Sequence, residues 1–154
     1  MTDEIIPAKE IKDILIQAWS ETNSLRPRFV DLGSNETTLR IDLDRMLVPT
    51  QGKQDLVVIY PGGTMLEEPI GNWTYAHRTY FVNIDLYSIQ SRQRLYNLMA
   101  EIRRILHFKM HHTPGFQRIQ FNSYEETYDE NLTLWVGTVE VELINSAVLM
   151  ETTV

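Results

Sequence analysis

The 154-residue chain has no cysteine. That excludes disulfides, a cysteine nucleophile and thiolate metal sites, while leaving the compartment open. Cationic residues are in deficit: 14 lysines and arginines stand against 21 aspartates and glutamates, a formal net charge of −7. An acidic surface repels nucleic-acid phosphates, so a free DNA- or RNA-binding module is a poor fit. Long apolar runs are also missing. None reaches the length needed to span a bilayer. Met1 to Pro7 has neither the basic start nor the apolar stretch of a secretion signal. In that setting the Asn-x-Thr triplets at Asn35, Asn72 and Asn131 read as chance. No repeat, low-complexity tract or linker divides the chain. What remains is 43% hydrophobic residues in a length that suits one domain over 1–154. Such a chain buries roughly 68–70% of its unfolded surface without staples.

Periodicity then sets the elements. From Pro7 to about Ser20, Ile11, Ile14, Leu15, Ala18 and Trp19 recur at helical spacing and make one apolar stripe. Pro7 suits the first turn, where its missing N–H costs nothing. Thr37 to Leu43 alternates as a strand. Leu56-Val57-Val58-Ile59 is an apolar run suited to a strand buried on both faces, and Pro61-Gly62-Gly63 ends it. Residues 61–73 contain further breakers, Pro69 and Gly71, and the pair Glu67-Glu68; they read as an exposed loop or arm. Ala76 to Tyr87 is the clearest strand, with Arg78, Tyr80, Val82, Ile84 and Leu86 on its inward face. A helix follows, with Leu95, Leu98, Met99, Ile102, Ile105 and Leu106 on one side and Ser88 or Ser91 as cap. Phe116 to Tyr128 and Leu132 to Ile144 make an antiparallel hairpin about Asp129-Glu130-Asn131. The fold class expected is α+β: a mainly antiparallel sheet with two helices packed on one face.

Few groups offer chemistry. His107 and His111, at i and i+4, could place two imidazoles on one helical face for a metal. No glutamate follows the first histidine and Lys109 lies between them, so a polar helix end with histidine at the negative pole of the dipole is the simpler account. Pro61-Gly62-Gly63-Thr64 lacks the lysine of a phosphate loop and reads as a turn or hinge. Glu125, Glu126, Asp129 and Glu130 crowd a hairpin tip. Solvation there keeps paired carboxylates from dividing acid and base roles, so the cluster reads as an acidic surface. Asp42, Asp44 and Asp85 read as the outer faces of strands. No serine sits in a nucleophile elbow. Met65, Leu66, Ile70 and Trp73 give residues 61–73 more apolar surface than a free loop normally shows, which marks them as a candidate oligomer interface.

The order of elements resembles the tail-terminator and tail-completion proteins in the neck of long-tailed bacteriophages and related viruses. Four stretches carry the likeness. They are the amphipathic helix from Ala8 to Trp19, the apolar strand running into a turn over Asp55 to Pro61, the long strand from Arg78 to Ser88 flowing into the helix from Gln93 to Leu106, and the closing hairpin from Phe116 to Ile144. Arg45 to Gln54 has no counterpart in it. The resemblance implies a structural virion protein, assembled in the host cytoplasm as a homo-oligomeric ring, a hexamer, at the head-proximal end of a tail. Its partners would be the tail tube protein and a capsid connector or head-completion protein. DNA would pass through the ring without specific binding, and there would be no cofactor and no active site. On that reading Glu125, Glu126, Asp129 and Glu130 line or border an acidic channel. The alternatives are another head-tail adaptor, or a small metal-dependent enzyme using His107 and His111.

Overall fold

A computed structural model describes residues 6–20, 39–43, 55–63, 65–70, 75–88, 91–108, 116, 118–131 and 133–148. The order is helix α1 (Pro7–Ser20), strands β1 (Leu39–Leu43), β2 (Asp55–Pro61), β3 (Leu66–Ile70) and β4 (Tyr75–Ser88), helix α2 (Arg92–Phe108), then β5 (Arg118–Asp129) and β6 (Leu134–Val148). The strands form one six-stranded sheet in the order β1-β2-β4-β6-β5, with β3 paired to β4. Every pairing is antiparallel except β1 with β2. The α+β class and the placement of both helices on one face follow as expected.

β4 is the spine. It pairs along its whole length with β6 on one side. On the other side β2 takes Val82 to Tyr87 and β3 takes Tyr75 to Thr79. Alternation decides which side chains meet the helices. Val57 and Ile59, Val82, Ile84 and Leu86, and Val139, Val141 and Leu143 point to one face. There they bury Ile11 and Leu15 of α1 and Leu95, Leu98, Ile102 and Ile105 of α2. Burying an aliphatic side chain of this size stabilises by about 1.5–3 kcal/mol, so this layer is the main source of cohesion. α2 starts where the Ser91 Oγ accepts the Arg94 N–H at 3.1 Å, the capping bond expected of serine.

Among the described residues no helix packs on the opposite face, yet Leu56, Val58, Tyr87 and Leu134 are buried there as a second cluster. β2 is therefore buried on both faces, as its unbroken apolar run requires. Asp85 also lies on this face and is only 3% exposed. It is not the solvated outer residue that alternation suggests. Its carboxylate accepts hydroxyls from Tyr60 at 3.0 Å, Tyr87 at 3.3 Å and Thr138 at 2.9 Å, which offsets the cost of burying its charge. Asp42's side chain and Asp44 lie outside the described residues.

Residues 66–70 form an edge strand on β4 and not a free loop. Pro69 is accommodated because an edge strand can spare an N–H.

Candidate functional site

Two surface patches, at opposite edges of the sheet, combine exposed apolar side chains with a built local geometry. The first lies where β2 gives way to β3. Pro61 is paired with Val82 and Leu66 with Thr79, so Gly62, Gly63 and Met65 fall where β2 and β3 leave only Tyr80 and Phe81 opposite, and the chain bows outward at Gly62 and Gly63. Gly62 holds the base of the bow: its N–H donates to the Phe81 carbonyl at 2.7 Å. A Cβ there would lie 3.0 Å from that carbonyl's carbon and oxygen, which only glycine avoids. Gly63 turns the chain at φ 116°, a left-handed conformation that side chains resist. The bow leaves an apolar groove between the start of α1 and the sheet. Ile6, Pro7, Pro61, Met65, Tyr80 and Phe81 are among its lining residues, and its free volume is about 110 Å3. Of its lining residues Ile6 is 61% exposed and Met65 44%. Arg78 of β4 and Glu67 of β3 form an ion pair at 2.7 Å beside it.

The second patch is the distal half of the β5–β6 hairpin with the first turn of α2. A bulge between Phe121 and Ser123 shifts the alternation of β5 by one residue. Beyond it Tyr124, Glu126 and Tyr128 join the helix-bearing face, opposite Val139, Gly137 and Trp135. Tyr96 of α2 meets Tyr124 with ring centroids 5.8 Å apart, and Tyr128 meets Trp135 at 4.9 Å. The Arg92 guanidinium sits 5.5 Å from the Tyr96 ring and 6.0 Å from the Trp135 ring, within cation–π range. Arg92 also forms an ion pair with Glu126. The Tyr124 hydroxyl donates to Glu126 at 3.2 Å. Burial pushes that hydroxyl's pKa well above the ordinary tyrosine range, and the Glu126 carboxylate adds to the shift. Tyr128, packed on Trp135, is 44% exposed.

The acidic residues read from the sequence do not form one cluster. Glu126 is tied to Arg92 on the helix-bearing face. Glu125 falls on the helix-free face beside Thr138, and Glu130 is exposed in the turn. Asp129 braces that turn by accepting the Asn131 N–H at 3.0 Å. Strand alternation makes the division, and the bulge decides that Glu126, not Glu125, joins the helix-bearing face. The same helix-free face carries Glu140 beside Ser123 and Glu142 beside Gln120, with Arg118 as its basic member on β5. Of the candidate interface residues, Met65 lines the groove; Leu66 is exposed on β3 opposite Thr79, Ile70 is placed by its backbone pairing to Tyr75, and Trp73 lies outside the described residues. His107 is exposed at the end of α2, and His111 lies outside the described residues. Among the described residues no three potential ligands converge on a metal position.

Two buried ion pairs are structural in character. Asp55, fully buried at the start of β2, accepts the Arg94 Nε–H of α2 at 2.5 Å. Glu101, equally buried, pairs with Arg104 one turn along α2.

The chain matches no known protein family. No curated protein matches it either.

Proposed function

We propose that the chain is the subunit of a structural ring at the head-proximal end of a viral tail, of the tail-terminator or tail-completion kind. It would stop growth of the tail tube and join the tail to the capsid connector. The observation that carries this reading is the pair of unlike apolar patches at opposite edges of one sheet. A closed ring of identical subunits requires a heterologous contact, in which one patch meets a different patch on the next copy. A groove at the β3 edge and a partly exposed aromatic cluster at the β5 edge supply two such surfaces. The order of elements adds support, because it is the order on which the resemblance to neck proteins rests. The carboxylates of Glu125, Glu140 and Glu142 make the helix-free face the natural wall toward passing DNA, since like charge discourages adhesion. The ring's neighbours would be the tail tube protein and a connector or head-completion protein, with no cofactor needed. The mass of the full chain under native conditions tests the proposal. A closed oligomer, a hexamer in the simplest case, is expected; a monomer at every concentration overturns it.

A further inference from the structure

We infer that two polar contacts, one at each end of β2 and on opposite faces of the sheet, are register keys that hold this strand against a one-residue slip. The keys act within one subunit, whatever that subunit assembles into. Side chains alternate with period two along a strand. A slip of one residue therefore exchanges its faces, and it is penalised only where those faces differ. In β2 they scarcely differ. Val57 and Ile59 pack under the helices, Leu56 and Val58 pack in the second cluster, and all four are buried. Moving each of them into the place before it exchanges one aliphatic side chain for another of nearly the same size. Hydrophobic burial, which fixes the register of strands with one polar face, leaves that of β2 open.

The flanking positions close it. At the start, Asp55 is fully buried on the helix-bearing side and accepts the Arg94 Nε–H at 2.5 Å. Near the end, Tyr60 on the other side donates its hydroxyl to Asp85 at 3.0 Å. Slip in one direction puts Leu56 in the place of Asp55, which strands the Arg94 guanidinium. It also puts Tyr60 opposite Ile84, which carries the hydroxyl into the apolar layer and takes a donor from Asp85. A buried charge or hydroxyl left without its partner costs far more than an exchange of aliphatic side chains. Slip in the other direction is barred by the backbone. It would bring Pro61 to the place of Gly62, whose N–H donates to the Phe81 carbonyl at 2.7 Å and where a Cβ would lie 3.0 Å from that carbonyl's carbon and oxygen. Proline has no N–H to give and adds a side chain. In the first direction Gly63 takes that place, and glycine meets both demands. The slip the backbone permits is thus the one that the two keys block. Register also matters past β2. The permitted slip draws Gly62 into the ladder opposite Val82 and moves Pro61 to the helix-free face, so the keys set the shape of the bow and of the groove beside it.

Nuclear magnetic resonance on the full chain tests the keys. Asp55→Leu/Arg94→Met removes one and Tyr60→Leu the other. Either variant should keep one set of β2 signals, with Ile59 opposite Ile84 as in the unaltered chain. The chain carrying all three substitutions should show a second set of β2 signals at about a tenth or more of the total intensity, the upper range of minor-state populations. That set should carry cross-strand contacts from Ile59 to Asp85. Adding Val58→Thr should restore one set, because the slipped register would bury the added hydroxyl in the apolar layer opposite Leu86. One set of signals in the native register from the chain with three substitutions overturns the inference. If that chain does not fold, the fourth substitution decides: recovery of the fold with Val58→Thr supports the keys, and no recovery overturns them.

Discussion

Gly137 lies beneath the Tyr124 ring. A Cβ added there would lie 2.7 Å from the Tyr124 Cε2 and 2.9 Å from its hydroxyl oxygen. The ring therefore occupies the space a side chain on β6 would take, and from there it reaches Tyr96 and Glu126. Gly137→Ala must push the ring off the strand, breaking the packing of Tyr96 and the geometry around Arg92 together. The expected loss is about 1–3 kcal/mol, the usual cost of overpacking, read as a lower denaturant midpoint. Tyr124→Ala in the Gly137→Ala background should recover little, because the cluster is then already lost. Tyr124→Ala alone should cost about as much as the glycine substitution.

At the scale of elements, the Asp55–Arg94 pair clips β2 to α2 across 39 residues of sequence. Its Asp55 Oδ1 and Arg94 Nη2 find no hydrogen-bond partner among the described residues, so the pair is imperfectly compensated. Removing one partner strands the other charge: Asp55→Ala should destabilise by about 3–5 kcal/mol. Replacing both with apolar residues, as in Asp55→Leu/Arg94→Met, should recover most of that, because a buried ion pair often gains little over hydrophobic packing. Thermal unfolding of the three chains checks both claims. Much of the element pattern is legible in the sequence. β2, β4, α2 and the hairpin bury one face or both, and burial imposes the apolar spacing that a reader of sequence detects. β3 leaves no such trace. It is an edge strand whose Leu66, Glu67, Glu68 and Pro69 are all exposed, so no periodicity is imposed on it. Pro69 and the paired glutamates, which look like loop residues, are what a protected edge carries. The parallel pairing of β1 with β2 is equally silent, being a property of register and not of composition.

The candidate surfaces, seen at the level of the molecule, were partly legible. The apolar residues Met65 and Leu66 stood out against their breakers, but the groove beside them is made by α1 and β4, which no local pattern connects. The carboxylates near the hairpin tip do not act as one cluster because strand alternation divides them, and the bulge in β5 decides which of them face the helices. Glu126 and Glu125 are neighbours in sequence and face opposite ways. Charge is the property of the whole molecule that the sequence conveys directly. With a net charge of −7 and carboxylates on the helix-free face, the assembled protein should not retain duplex DNA at moderate salt. Electrophoretic mobility of labelled duplex with increasing protein checks this, and tight retention would count against the ring reading.

The strand at the groove's margin has one more consequence. Among the described elements β3 makes its substantial contacts with β4 alone, and α1 and α2 rest elsewhere on the sheet. Its neighbour on the β4 ladder, β2, is separated from it by the bow at Gly62 and Gly63. Among the described residues, peeling β3 away therefore breaks one short ladder and the Arg78–Glu67 pair, and moves only exposed side chains, Leu66 to Pro69. The opening free energy of this margin is set by those few bonds, far below that of the core. On the proposed ring reading, a neighbour seated against it would add its binding energy to that small local sum, and the margin would gain order from assembly.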